Sequence, residues 1–588
     1  MNTRHVVGLI GASLLSLVAV DASAGSTDPS NATFSSALVI QVQGGNDGRL
    51  DGEMKRRGPG AEQPVLTTLT KNGKQYVVEV HMQSMTEASG YGPWQCSCSS
   101  YEMQENGAPV ARVNLKQISF DKNGHRLCNH PTIATDGDKI LWAFGDDNNS
   151  NRPNLYVGVL DEMCNVVAPP VMMNAKKVSE FTPNNSGITI NANDNGTPTD
   201  TLDNNDGAPK CVYNDNGLFT CSYCSTAGNS TEFAAALGVR LSKTDVTYSV
   251  KREWIVPFVS PGRISRPQLE RIDGTRTLAC AAQGANRPPQ DGARCAVLDA
   301  TTGQSRFSTI IAPSYEDKDG TKHYMNQPSL AKISDTSYAL NVIETNAMGR
   351  NTNLKGLNLS HLYTMDLAGD SLSTNGHVTG YPAYQTHSTV CAGKFGVGGA
   401  PHVAMLSASP SGIGRAAMVF VNYDAPTKTF TPKDDLHTWA VNWYGDSGHL
   451  ANWYGENPMQ QGRDFIQCLG DVPNPGYHVD QGYMSNVKSF FVAAVAGRVP
   501  GDYKNSLFLS FVPGEADQQL TPQNPTPADQ PPVPTTDNTG NQSNNAPSSS
   551  SGCACSTPGT STDSGTMLGG LALVGLVLGA TRRRAKKA

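Results

Sequence analysis

The stretch PTIATDGDKILWAF, Pro131 to Phe144, reads as two strands joined by a tight turn. Ile133 places an apolar side chain two residues after the proline, and Asp136-Gly137 tolerates the positive φ that a tight hairpin requires. The run that follows is β-rich. Four more segments align on a proline: PVLTTLTKNGKQYVVEV from Pro64, PKCVYNDNGLFTCSY from Pro209, PQLERIDGTRTLACAA from Pro267 and PSLAKISDTSYALNV from Pro328. Leu66, Cys211, Leu269 and Leu330 take the place of Ile133. The turns fall at Asn72-Gly73, Asn216-Gly217, Asp273-Gly274 and, more weakly, Ser334-Asp335.

Each unit continues into a second hairpin, opened by NLYVGVLD, AAALGVRLS, ARCAVLDA or SHLYTMDLAGD. Two degenerate units follow: STVCAGKFGVGGAPHVAML with AAMVFVNYDAPTKTF, then FIQCLGD with SFFVAAVAG and NSLFLSFVPG. Four-stranded units recurring every 58 to 78 residues predict an all-β, seven-bladed β-propeller, with six and eight blades as alternatives. A two-sheet sandwich array is the rival architecture, but nothing in it requires one pattern seven times. The run SALVIQVQ, ahead of the first unit, can add the outermost strand to the last blade, which would close the ring and remove a free sheet edge.

The ends of the chain suggest export and retention. Residues 1–24 carry Arg4, an apolar stretch from Val6 to Val20, then Ala22-Ser23-Ala24, as a signal peptide cleaved before Gly25 would. The propeller body is expected over 25–513. Residues 514–552 turn to Pro, Thr, Ser, Asn and Gln with only four charges, so a disordered or extended stalk is expected, reaching on the order of 120 Å at about 3.1 Å per residue. Residues 553–588 form a tail. Its apolar run, Met567 to Ala580, would span only about 21 Å as a helix, short of a ~30 Å hydrocarbon core. Arg582, Arg583, Arg584, Lys586 and Lys587 follow, a cluster that prefers the cytoplasmic side of a membrane.

Cys553-Ala554-Cys555, a short Gly-rich apolar helix and a terminal Arg cluster, in that order, resemble the C-terminal sorting signals of myxobacterial surface proteins, the MYXO-CTERM type. The resemblance covers only 553–588. It implies sorting and lipidation machinery acting near Cys553 or Cys555, and a body left on the outer surface, anchored to the outer membrane through its C-terminus. A plain single-pass anchor with an incidental cysteine pair is the alternative.

The formal charge of −6 becomes −11 once the basic residues after Thr581 are discounted, Arg4 and Asp21 cancelling. An acidic surface lacks the footprint of a nucleic-acid binder. Thirteen cysteines are present, eleven of them before the tail, and in an exported chain disulfides are the expectation. Cys211 with Cys221 and Cys280 with Cys295 flank hairpin turns and are expected to pair; the odd count leaves one body thiol over. Cys96-x-Cys98 and Cys221-x-x-Cys224 have no companion spacing to complete a metal site, so no metal is assigned. NANDNG from Asn191 and EDKDG from Glu316 are incomplete calcium loops, and calcium is the one cofactor left open.

Three sets of residues are candidates for function. The pairs before each aligned proline should gather at one end of the channel: Glu62/Gln63, Asn129/His130, Ser265/Arg266, Asn326/Gln327, and by looser alignment Thr386/His387 and Arg463/Asp464. Such a ring suits a polar ligand, a glycan or an acidic peptide; the same residues could equally pin the loops entering the blades. The repeat NWYGDSGHLANWYG brings Trp443 and Trp453 beside Asp446 and His449, as a sugar-stacking platform or as a packed insertion. No nucleophile elbow, zinc helix or phosphate loop is present. The expected function is therefore a surface-anchored binding or adhesion protein for an extracellular polymer, a glycan or a protein partner. A tethered polysaccharide hydrolase or lyase and an envelope scaffold are the alternatives.

Overall fold

The computed structural model describes residues 38–43, 61–84, 94–104, 110–122, 125–145, 154–175, 178–188, 209–227, 231–284, 291–316, 318, 320, 322–345, 357–384, 388–408, 416–431, 438–440, 465–477, 486–498 and 505–517. The leader, most of the stalk, the tail with Cys553 and Cys555, and the Trp443/Trp453 repeat lie outside them. Among the described residues no helix is long and apolar enough to cross a membrane.

The strands form seven antiparallel blades. Blade 1 is Ala61–Lys71, Lys74–Ser84, Trp94–Met103 and Val110–Gln117. Blade 2 is Asn129–Thr135, Ile140–Gly145, Leu155–Leu160 and Val166–Met172. Blade 3 is Lys210–Tyr213, Leu218–Ala227, Thr231–Thr244 and the first part of Thr247–Arg271. That strand passes without interruption from the outside of blade 3, where Thr247 faces Thr244, to the inside of blade 4, where Arg271 faces Thr277. Blade 4 continues with Arg276–Gly284, Gly292–Asp299 and Ser305–Pro313. Blade 5 is Lys322–Lys332, Ser337–Thr345, Leu357–Ala368 and Ser371–Tyr384. Blade 6 is Ser388–Val397, Ala400–Ala408, Ala416–Asp424 and Thr429–Thr431. Blade 7 is Phe465–Pro473, Ser489–Arg498 and Asn505–Pro513.

Leu38–Gln43 is the fourth strand of blade 7, Leu38 facing Phe511. The chain thus closes its ring by pairing the start of the body with its end. Glu515–Ala516 extends the packed chain past Pro513, alongside Gly396 and Val397 of blade 6.

Positive φ appears at both residues of the two Asn-Gly turns and at Gly137 of Asp136-Gly137, but at neither residue of Asp273-Gly274. Asn72 and Gly73 have φ of 51° and 77°, and Asn216 and Gly217 have 54° and 73°. A Cβ on Gly217 would also meet the Leu241 carbonyl oxygen at 2.5 Å, so the turn needs glycine for space as well as for φ.

Each blade is sandwiched between two others, and its strands are apolar on both faces for that reason. In blade 1, Val78, Val80 and Met82 pack with Trp142 and Phe144 of blade 2, while Val77 packs with Phe490 and Phe511 of blade 7. Equivalent cores join blades 2 and 3 around Leu237, blades 3 and 4 around Trp254, blades 4 and 5 around Leu340, and blades 5 and 6 around Val403. Phe491 of blade 7 meets Phe420 of blade 6 edge-on at 5.0 Å, which completes the circuit.

Disulfides staple this ring. Cys211–Cys221 and Cys280–Cys295 each join directly facing residues of one hairpin, as expected from their spacing. Three others cross between blades: Cys96–Cys128 and Cys98–Cys164 tie blade 1 to blade 2, and Cys391–Cys468 ties blade 6 to blade 7. Ten of the eleven body cysteines are thereby used, and the remaining one, Cys224, is buried against blade 4. Cys96 and Cys98 are bonded to different blade 2 cysteines, so they are not a metal or redox pair.

Candidate functional site

The residues before the aligned prolines stand at a repeated irregularity. Strand register shifts between Glu62 and Val65, Asn129 and Thr132, Ser265 and Gln268, and Asn326 and Ser329. Each shift brackets an X-Pro step in the innermost strand. Proline has no N–H to give the ladder, and a bulge is where a strand tolerates that loss. Gln63, His130 and Gln327, the residues just before three of the prolines, have φ of 50°, 48° and 50°. A non-glycine residue held there costs about 1–3 kcal/mol and persists only where its surroundings impose it.

Asn129, His130, Asn326 and Gln327 hold equivalent places at the entry end of blades 2 and 5, and all four are buried. The His130 N–H points to the Met82 sulfur of blade 1 at 3.3 Å. Asn129 Oδ1 and Thr132 Oγ1 have no hydrogen-bond partner among the described residues. Arg266 lies on the innermost strand of blade 4, but its side chain is outside the described set. His387, Arg463, Asp464, Trp443 and Trp453 are outside it altogether. Trp439 sits on Thr438–Ala440, a short strand that pairs with Ala417–Val419, so the segment leading into the tryptophan repeat starts on blade 6. Of the two calcium-loop candidates, NANDNG is outside the described residues and EDKDG is described only at Glu316, Lys318 and Gly320. Among the described residues no group of three ligating side chains could hold a metal ion.

Two charged clusters were not expected from the sequence. The first is at the entry end of blade 5, on the face toward blade 4. Glu344 is buried and accepts from His361 Nε2 at 2.6 Å through one carboxylate oxygen; the other is shared by His323 Nδ1 and the Tyr315 hydroxyl. Tyr315 stacks on the His323 ring at 4.4 Å between centroids. Burial alone would raise the Glu344 carboxyl, but the hydrogen bonds from His361 and His323 outweigh it and hold it below the ordinary value. Blade 1 carries a smaller relative, in which the buried Glu79 meets His81 at 3.1 Å and Ser99 at 2.9 Å.

The second cluster comes from three consecutive innermost strands: Lys210 of blade 3, Glu270 of blade 4 and Lys332 of blade 5, all half-buried. Burial pushes the Glu270 carboxyl up to about 7, against the pull of Lys210, the Arg271 N–H and Lys332. Burial also lowers the Lys210 ammonium from its usual range. A carboxyl raised by folding favours the folded state while protonated, and that advantage is lost as pH climbs from about 4.5 through about 7. Glu270→Gln is therefore expected to raise the stability of the full-length protein at pH 8 by about 1–2 kcal/mol, the shift being discounted for the water that reaches the group. The same variant should be neutral at pH 4. Denaturant midpoints at the two pH values check this, and equal shifts at both would refute it.

No family model matches the chain, and no curated protein matches it. Solved structures do. The hemagglutinin-neuraminidase of parainfluenza virus 5 is 12% identical over 64% of this chain and 89% of that one, with a TM-score of 0.33. Trypanosoma rangeli sialidase is 10% identical over 66% and 58%, with 0.36. The α-L-arabinofuranosidase Arb93A of Fusarium graminearum is 9% identical over 81% and 97%, with 0.37. At these values the matches carry no argument about chemistry, and the propeller rests on the strand pairings themselves.

Proposed function

We propose that the protein is an exported binding or adhesion protein, anchored at the cell surface through its C-terminal tail, whose propeller presents the strand-entry end to a hydroxyl-rich extracellular polymer. The observation that carries this reading is the repeated X-Pro bulge, which holds Asn129/His130 and Asn326/Gln327 at one end of the ring and leaves Asn129 Oδ1 unsatisfied. Neutral amides and imidazoles both donate and accept, as sugar hydroxyls do, and convergent polar groups of this kind orient a ligand. Among the described residues three buried carboxylates stand at this end of the blades, Glu79, Asp291 and Glu344, and two of them, Glu79 and Glu344, are held by side-chain hydrogen bonds within the protein. Glycoside hydrolysis instead needs a carboxyl pair facing the scissile bond. The stalk and tail give such a binding face its outward reach.

The test is a glycan and polysaccharide array with the full-length protein, with soluble products assayed in the same wells. Binding without turnover is expected, weakened about tenfold when Asn129→Ala and Asn326→Ala are combined, roughly one hydrogen bond each. Released oligosaccharide would make the protein a hydrolase or lyase instead, and the absence of any binding would overturn the reading.

A further inference from the structure

The cluster inside the channel has a composition that the protein does not balance by itself. The Lys210 ammonium makes no ion pair or hydrogen bond with a described residue. Lys332 Nζ donates to the Ile272 carbonyl of blade 4 at 2.9 Å and pairs at 3.0 Å with Asp335, which is almost fully exposed, so one of its three protons remains. Tyr338 directly faces Lys332 across the first hairpin of blade 5, hence on the same side of the sheet. Its side chain is fully buried, yet its hydroxyl has no hydrogen-bond partner among the described residues. The Glu270 carboxylate feels both lysines, and the Tyr338 hydroxyl feels Glu270. Nonetheless no lysine nitrogen of the described residues lies within ion-pair distance of Glu270. Three donors thus face one acceptor that none of them engages.

We propose that the channel wall built by the innermost strands of blades 3, 4 and 5 binds an oxyanion, the carboxylate or sulfate of an acidic ligand, between the Lys210 and Lys332 ammonium groups, with Glu270 as the group that links this binding to pH. The oxyanion accepts from Lys210, from the spare Lys332 proton and from the Tyr338 hydroxyl. When Glu270 is ionised it competes for the same cations and repels the ligand; when protonated it does neither. Affinity therefore rises on acidification through the neutral range. Other charged groups stand around Glu270 and Tyr338. On the blade of Glu270, Asp273, in spite of burial, is held at about 2 by hydrogen bonds from Thr275 and Arg276, and Arg276 is raised by its bonds to Asp273 and Asp370. From blade 5, Asp335 is exposed and Tyr338 is pushed upward by burial. A structural ion pair would have drawn Lys210 and Glu270 into contact, and a cation site would not place two lysines around one carboxylate. This site lies along the channel and does not depend on the entry-face reading.

The test is isothermal titration of the full-length protein with sodium sulfate and, separately, sodium galacturonate, at pH 6 and pH 8 and constant ionic strength. At least one probe is expected to bind about tenfold more tightly at pH 6, the effect of removing one unit charge ~6 Å away at an intermediate effective dielectric. A preference for sulfate or galacturonate identifies which oxyanion the wall suits. Lys210→Met should abolish binding and Lys210→Arg restore it, with unchanged circular dichroism in both. Glu270→Gln should raise affinity at pH 8 to the wild-type level at pH 6. Failure of both probes to bind overturns the proposal, as does binding that survives Lys210→Met or a pH dependence that survives Glu270→Gln.

Discussion

Removing the Cys98–Cys164 disulfide by replacing both residues with Ala is expected to lower stability by about 4 kcal/mol, whereas the same treatment of Cys211–Cys221 should cost about 2.7 kcal/mol through chain entropy. The two bridges differ in what they close. Cys98 and Cys164 are 66 residues apart, on blades 1 and 2, and the bridge removes a large loop from the unfolded ensemble. Cys211 and Cys221 are 10 residues apart, at directly facing positions of one hairpin. Their strands are already brought together by the Asn216-Gly217 turn, so cutting the bridge frees little chain. Both pairs are buried and packed in apolar cores, and the Cys-to-Ala truncation itself is common to the two experiments. Guanidinium denaturation of the two double variants, monitored by tryptophan fluorescence, measures the difference. Equal losses would mean that closing the longer loop adds nothing beyond what the hairpin bridge gives, Cys96–Cys128 and the apolar interface around Trp142 already holding blades 1 and 2 together.

Apart from the closing strand Leu38–Gln43, legible as a strand left over for the last blade, the features that could be read from sequence are those set within about fifteen residues of chain. A turn such as Asn72-Gly73 declares itself because few other dipeptides accept its φ values, and an apolar residue two after each proline marks the strand entering the core. Cross-hairpin cysteines are legible on the same grounds, since the turn between them fixes which residues face each other. The Cys96–Cys128, Cys98–Cys164 and Cys391–Cys468 pairings are not, because their partners belong to different blades and meet only once the ring has closed. The pre-proline pairs drew notice as polar residues at a channel mouth; that they sit in bulges, with Gln63, His130 and Gln327 at positive φ, follows from packing between blades. The cluster around Glu344 was hidden for a related reason. Its members come from three strands and the segment before them, and the shift between Asn326 and Ser329 decides which side chains share a face. A one-residue error there would send Glu344 to the opposite side of the blade. The channel lysines and Glu270 look like ordinary surface charges in sequence, and only the adjacency of three innermost strands makes them one group.

Glu344 is the residue at which loss of a single polar group should cost the fold most. Its two oxygens satisfy His323, His361 and Tyr315 in a region of blade 5 that Met325, Val342 and Tyr363 make otherwise apolar. Glu344→Ala leaves two buried imidazoles and a hydroxyl without their acceptor and is expected to destabilise the protein by about 3–5 kcal/mol at pH 7. The cost has a definite pH signature. A carboxyl held below its ordinary value in the folded state contributes stability that is present above about 4.5, the unfolded value, and is lost as pH falls through the folded one. The gap between wild type and Glu344→Ala should accordingly be full at pH 7 and narrow steadily below pH 4. Glu344→Gln separates charge from shape: its amide oxygen can accept from one imidazole, and it should recover part of the loss at pH 7. Denaturant midpoints of the three proteins across pH 3 to 8 decide the matter. A gap that stays constant down to pH 3 would mean that Glu344 acts by filling space between blades 4 and 5, and that the two histidines find other acceptors when it is removed.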